Sequence, residues 1–357
     1  MNQVKRIVFF CSLLLLTCNA LNAAPIKVGV IGLDNYQAVA FTSLFRAAKP
    51  DEPLAGFEVV AAYPGGSPDI PESVQGLARW TKRFEEMGIP RVNSIADVVE
   101  RADVVILMSL DGRVHLKQAG PVLKAGKPLY IGRPMAASLV DVLKIFQLAE
   151  AHQAPLFSCS QHRFVPAFSG MRNHPQVGRV LGCSVYGGLQ FEPTHTEFFW
   201  HSIHSAETLF TIMGPGCVSV TRASTPQAEL VTGTWKDGRI GTFRGLGTGT
   251  VKYSGVVFGE KGILRAGNYG RGVPTLKTDA EGEHWLAPQG EYMGYKGVAL
   301  AMADFFRTRK PPISAAETIE IFAFLEAAHE SKRRGGIPVK LETVLTHARS
   351  QLKASKK

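Results

Sequence analysis

His201, His204 and Glu207 stand three residues apart, so on one helix they share a face and approach one another. Two kinds of chemistry use such a group. A histidine held by a carboxylate acts as general acid/base on a hydroxyl, because imidazole titrates near neutrality. The same side chains, with His195 as a fourth, also make a metal-ligand set, although helical ligand histidines stand four apart more often than three. A packed His204 with satisfied ring nitrogens is the plain structural alternative. The acid/base reading is preferred, with no metal expected.

A second candidate site lies near the start of the chain. Ile26 to Ala40 reads IKVGVIGLDNYQAVA, a strand running into a helix through a tight turn at Gly32. A dinucleotide-binding turn has glycine two places after the first, where backbone approaches the pyrophosphate at the helix N-terminus. Asp34 occupies that place and Gln37 the third glycine place. Asp34 can serve as N-cap of the helix, but its charge opposes a phosphate. The second strand ends in Tyr63-Pro64-Gly65-Gly66-Ser67, without the carboxylate that grips ribose hydroxyls. NADP is therefore as acceptable there as NAD.

The elements that must position these residues follow a regular order. Ile26–Ile31, Phe57–Ala62, Asp103–Ser109 and Pro128–Ile131 are apolar runs that read as strands buried on both faces. Between them lie helical patterns: Phe41, Leu44, Phe45 and Ala48 share a face, and Ser94 with Asp97 and Ser138 with Asp141 open two more helices. Alternating strands and helices mean a parallel, doubly wound Rossmann sheet with right-handed crossovers. After Pro155 the pattern changes. Val180–Gly188, Cys217–Arg222, Glu229–Trp235, Gly238–Arg244 and Lys252–Phe258 read as strands of a mostly antiparallel sheet, interrupted by a helix near His201–Met213. A closing helix opens at Ser314 and Glu317. The expected division is a signal peptide over 1–24, a dinucleotide-binding domain over 25–154, an α+β sheet domain over 155–345 and a basic tail over 346–357.

Composition narrows the setting. At 357 residues, 45% hydrophobic and 20% charged, the chain has material for two ordinary globular domains. Lys5 and Arg6 precede an apolar Ile7 to Thr17, then small residues at Ala20, Ala23 and Ala24, the order of a cleaved signal peptide rather than a membrane anchor. Cleavage removes two of 40 basic residues and none of 30 acidic ones, leaving a formal charge of +8. No groove-reading or aromatic-interleaved pattern accompanies that charge, so nucleic acid is not the expected partner. Cys159, Cys183 and Cys217 make no metal spacing and allow one disulfide at most.

Asp103 to Pro134, DVVILMSLDGRVHLKQAGPVLKAGKPLYIGRP, resembles the corresponding stretch of the glucose–fructose oxidoreductase/inositol dehydrogenase (Gfo/Idh/MocA) family. Arg163-Phe164 after a strand, the helix Trp200 to Gly214 with His204, Phe258-Gly259-Glu260-Lys261-Gly262, and Pro312-Ile313-Ser314 through Ser331 continue the likeness over nearly all the mature chain. The resemblance implies a Rossmann domain followed by an open-faced sheet domain. It places Gly32, Asp34 and Asn35 at the pyrophosphate, and Ser109, Leu110, Asp111 and His115 along the nicotinamide-side loop. Gly132-Arg133-Pro134 occupies the family's Glu-Lys-Pro turn, so Arg133 replaces the lysine beside nicotinamide and substrate oxygen. A guanidinium stays charged and is a poor proton donor or acceptor, but it holds a substrate hydroxyl or phosphate. Trp200 stands where the family has an acidic partner of its histidine.

The expectation is an exported, periplasmic or extracellular NAD(P)-dependent oxidoreductase acting on a sugar, polyol or related carbohydrate by hydride transfer. Arg133, His204 and Glu207 would be catalytic, and Arg163, Trp200 and His201 would line the substrate, unless Arg163 is a domain-bridging salt link. By analogy it is a homo-oligomer. The alternative is a catalytically degenerate relative that binds a carbohydrate or nucleotide, favoured by Asp34 and Arg133.

Overall fold

The computed structural model describes residues 24–247, 253–267, 275–286 and 292–354, so the expected signal peptide, all but its last residue Ala24, lies outside the described residues. In the first half the order is β1 (Ile26–Ile31), α1 (Tyr36–Ala47), β2 (Phe57–Tyr63), α2 (Pro71–Glu86), α3 (Ile95–Arg101), β3 (Val104–Leu107), α4 (His115–Lys124), β4 (Leu129–Ile131), α5 (Leu139–Ala151) and β5 (Leu156–Ser158). The five strands form a parallel sheet in the order β2-β1-β3-β4-β5. Burial on both faces explains the apolar runs: Val28, Val30 and Ile31 have no exposed surface. Ser94 and Asp97 complete a capping box at α3, and the Ser138 hydroxyl accepts the Asp141 amide at α5.

The second half contains α6 (Pro166–Ser169), β6 (Val180–Gly188), α7 (Ile203–Met213), β7 (Cys217–Ser224), β8 (Ala228–Trp235), β9 (Ile240–Leu246), β10 (Ser254–Gly259), β11 (Gly262–Ala266), β12 (Thr275–Asp279), β13 (Gly282–Leu286), α8 (Lys296–Thr308), α9 (Ala315–Arg333), β14 (Val339–Lys340) and α10 (Leu341–Ala354). Nine strands form one sheet, ordered β13-β12-β11-β10-β6-β9-β8-β7-β14, antiparallel except where β6 pairs with β9. Helices α7 and α9 cover one face of it. Leu209, Phe210 and Phe324 pack there on Trp235 and Phe243.

Three features of the packing cross the expected division. The strand β5 completes the first sheet beyond residue 154. Helix α8 returns to the first half, burying Val298, Met302 and Phe305 with Val28, Val30 and Phe157. Residues 346–354 are not a free basic tail but the end of α10, whose Val344, Ala348 and Leu352 pack into the core that also holds α5 and α9. Basic residues on the outer face had masked that stripe. Cys159, Cys183 and Cys217 are all free and buried. No helix among the described residues is long and apolar enough to cross a membrane.

Candidate functional site

In the first sheet β1 pairs with β2 on one side and β3 on the other, so the crossover direction reverses beside it. Ligands of doubly wound sheets sit at the carboxyl ends of the strands at such a point. The turn after β1 and the loop after β3 meet there. Gly32 has φ +90° and lies so close to Ser109 that a Cβ would fall 2.1 Å from the Ser109 amide nitrogen. Only glycine fits.

The polar groups of this turn satisfy one another. Asp34 is 1% exposed, and its carboxylate accepts the Leu110 amide at 3.0 Å and the Ser73 hydroxyl at 2.7 Å. Burial raises its pKa, against the lowering effect of these hydrogen bonds. Asp34 is therefore not the N-cap of α1. That role belongs to Asn35, whose Oδ1 accepts the Gln37 amide at 2.7 Å while its Nδ2 donates to the Met108 carbonyl. Helix α2 closes over the turn, because Gly76 leaves room for the Asp34 carbonyl where a Cβ would come within 2.0 Å.

Beside it, Asp111 accepts from the Ser67 hydroxyl at 2.6 Å, from Arg113, and lies 3.3 Å from His195 Nε2. Burial opposes its ionisation, but its contacts with His195, Arg113 and Ser67 outweigh it and hold the carboxyl far below the usual range. Arg113 spans from Asp111 to Asp69. His115 lies beneath the loop. It is fully buried, with Nδ1 3.1 Å from the Met135 carbonyl and Nε2 2.8 Å from the Ser109 carbonyl, strapping the loops after β3 and β4 together. Beyond β2 lies a cavity of about 520 Å³, lined by Gly65, Gly66, Val74, Leu77, Lys82 and Arg91.

Gly132-Arg133-Pro134 follows β4 and projects toward α7. The Arg133 charge, after burial, depresses the titration of His201, and the same two causes act on His204. His162 and His201 are pushed down to about 3, and His204 lower than its ordinary value by a wide margin. These imidazoles are neutral at neutral pH, which corrects the expectation that His204 titrates there. The ring centroids of His162 and His204 are 4.7 Å apart, and Tyr253 lies 4.4 Å from His162 and 5.6 Å from His204.

Glu207 does not hold His204. Both are on α7, but the His204 Nδ1 lies 2.5 Å from the Ser160 hydroxyl, while Glu207 accepts Arg163 Nε at 2.6 Å. Arg163 also reaches Glu317 on α9 at 2.6 Å, so it is a salt link rather than a substrate contact. Ser160 was invisible as a site residue because its role comes from the turn after β5 facing α7, contact across 44 residues. Trp200 is 1% exposed and packs with Ile70, Leu110 and the His195 ring, so it wedges the halves together instead of presenting a face to a substrate. The expected alternative of His195, His201, His204 and Glu207 as metal ligands is not assembled. Among the described residues, the grouping compatible with an ion is Asp279, Glu281 and His284 on the β12–β13 hairpin.

The whole architecture has solved counterparts. An oxidoreductase from Agrobacterium radiobacter, in complex with NAD+, L-tartaric acid and magnesium, superposes with TM-score 0.70 at 15% identity, covering 89% of this chain and 99% of that one. The chain shares the fold of that oxidoreductase. A Desulfitobacterium hafniense protein assigned as an NADPH-dependent oxidoreductase gives 0.74 at 15% identity, over 89% and 98% of the two chains. The apo scyllo-inositol dehydrogenase of Lactobacillus casei gives 0.66 at 16% identity, over 89% and 98%. No family model matches the sequence, and no curated protein matches it.

Proposed function

We propose that this chain is an exported NAD(P)-dependent oxidoreductase acting on a sugar, polyol or related carbohydrate. The observation that carries the reading is the convergence of Arg133, from the end of β4, with the neutral His204 of α7, in a fold shared with oxidoreductases that bind nicotinamide cofactors. A bound cofactor would supply hydride exchange with the substrate carbon. The chain's own part is then to move the hydroxyl proton: a neutral imidazole accepts it, with Ser160 fixing the ring, while Arg133 holds an oxygen in place.

The residues fit a dinucleotide unevenly. The cavity beyond β2 suits an adenosine, and Lys82 and Arg91 in its wall suit a ribose phosphate, in keeping with NADP as well as NAD. The turn after β1 opposes a diphosphate, since Asp34 already holds the Leu110 amide and the Ser73 hydroxyl. That observation favours the second reading, a relative that keeps the fold and binds a carbohydrate or nucleotide without redox turnover. Export rests on the sequence of the first 24 residues, and a homo-oligomer on the analogy of the uncovered sheet face. The test is formation of reduced nicotinamide when the purified chain receives NAD+ or NADP+ with a panel of sugars and polyols. Turnover supports the oxidoreductase; its complete absence across the panel, with ligand still bound, supports the second reading.

A further inference from the structure

Arg133 is the exception among the buried and half-buried arginines. Arg163 is paired with Glu207 and Glu317, Arg222 with Glu229 and Glu197, and Arg113 with Asp111 and Asp69. Even Arg172 donates to the carbonyls of Phe210 and Ile212. The Nε and Nη1 of Arg133 are shut off from solvent and have no hydrogen-bond partner, and no ion pair among the described residues includes it. A guanidinium presents a planar fork of donors, and leaving two of them dry is unfavourable unless something binds there.

Among the described residues no hydrogen bond or ion pair joins Arg133 to an acid, and Glu207, which lines the same small void, is held by Arg163. His162, His201, His204, Tyr130, Tyr253 and Tyr295 all feel the Arg133 charge, and all are neutral groups at neutral pH. The nearby acids are committed elsewhere: Glu207 and Glu317 to Arg163, Asp111 to Arg113 and His195, Asp34 to Leu110 and Ser73. A lysine in the same place would offer a point charge, whereas the fork matches two oxygens in a plane.

We propose that the substrate carries its own carboxylate, paired with the two open donors of Arg133, so that the chain takes a sugar acid or similar hydroxy acid in preference to a neutral sugar or polyol. The inference rests on the reading of the Arg133–His204 region as the substrate site, and it narrows the substrate class of that site. It does not require redox turnover, so it is tested without dinucleotide.

The test is calorimetric titration of the full chain with aldonates and their matching alditols, gluconate against glucitol first, in wild type, Arg133→Met and Arg133→Lys. The aldonate should bind at least about tenfold tighter than its alditol. That preference should vanish in Arg133→Met and survive in part in Arg133→Lys. Thermal melting of the unliganded proteins gives an independent readout, because removing an unpaired buried cation should raise the midpoint of Arg133→Met. Equal binding of acid and alcohol, binding of no aldonate, or a preference kept in Arg133→Met overturns the proposal. So does a lowered melting midpoint in Arg133→Met, which would show that the guanidinium is paired in the free protein. Absence of turnover alongside intact aldonate preference would refute the oxidoreductase reading while leaving this one standing.

Discussion

The Asp34 carboxylate accepts the Leu110 amide at 3.0 Å, joining the turn after β1 to the loop after β3 across 76 residues. The bond crosses the place where doubly wound sheets receive a phosphate, and it uses a donor that a phosphate would otherwise take. With the Ser73 hydroxyl as its second partner, the carboxylate fastens the start of α2 over the same turn. The chain thus presents an anion of its own where its fold invites a ligand's.

If His204 moves the proton, as the proposed function requires, His204→Gln should lower turnover by about a hundredfold or more without loss of fold. Ser160→Ala frees the ring but leaves the imidazole, and its loss should be smaller, about tenfold. Steady-state kinetics with a circular-dichroism check measures both. Near wild-type turnover in folded His204→Gln would return His204 to a packing role.

Glu207→Gln tests the reassignment of Glu207. The substitution leaves Arg163 buried with Glu317 as its one remaining acid, and breaking one arm of a buried pair should cost about 3 kcal/mol in urea unfolding. Turnover per folded molecule should stay within a few-fold. A fall as large as that of His204→Gln would restore Glu207 to catalysis.

The imidazole cluster also makes stability depend on pH. His162 and His201 have folded values of about 3, below the ordinary 6.5, because burial and then Arg133 disfavour their charge. The unfolded chain therefore binds protons first, and their contribution is present above pH 6.5 and lost as pH falls toward 3. Each histidine contributes a slope of about 1.4 kcal/mol per pH unit in that window. Urea unfolding from neutral pH to about pH 5 should show a shallower slope in His201→Gln than in wild type. Identical slopes would contradict the account.

Export predicts a processed N-terminus between about Ala20 and Ala24, which Edman sequencing of protein recovered after expression with its own leader would detect. Recovery of intact Met1, or of full-length chain held in membranes, would exclude cleavage.

Much of the fold was readable because each half keeps one periodicity. Doubly buried β3 shows as an unbroken apolar run, β1 as one broken only by the exposed Lys27, and the Ser94–Asp97 capping box appears in sequence as in structure. Helix α2 is less legible, since only Ser73 and Phe84 are fully buried in it, while Leu77 and Trp80 lean on the core from a largely charged helix. Strand β13 leaves little trace, because Glu283, His284 and Trp285 are exposed on the β12–β13 hairpin, and β11 is a short strand that buries only Leu264 and Ala266. In the site, Arg133 and His204 were found through local motifs. Their partners were not, because spacing on α7 suggested Glu207 for His204, whereas the chain brings Ser160 to that ring and Arg163 to that carboxylate. Contacts between distant segments leave no periodic trace.

Cofactor binding tests the account most directly, by calorimetry of wild type and Asp34→Gly with NAD and NADP. Removing the carboxylate frees the Leu110 amide and the Ser73 hydroxyl and removes a charge that can cost a few kcal/mol against a diphosphate. Wild type should bind both dinucleotides, with no strong bias against NADP, and Asp34→Gly should bind both about a hundredfold more tightly. If wild type binds neither and Asp34→Gly gains nothing, the chain is not a nicotinamide-dependent oxidoreductase.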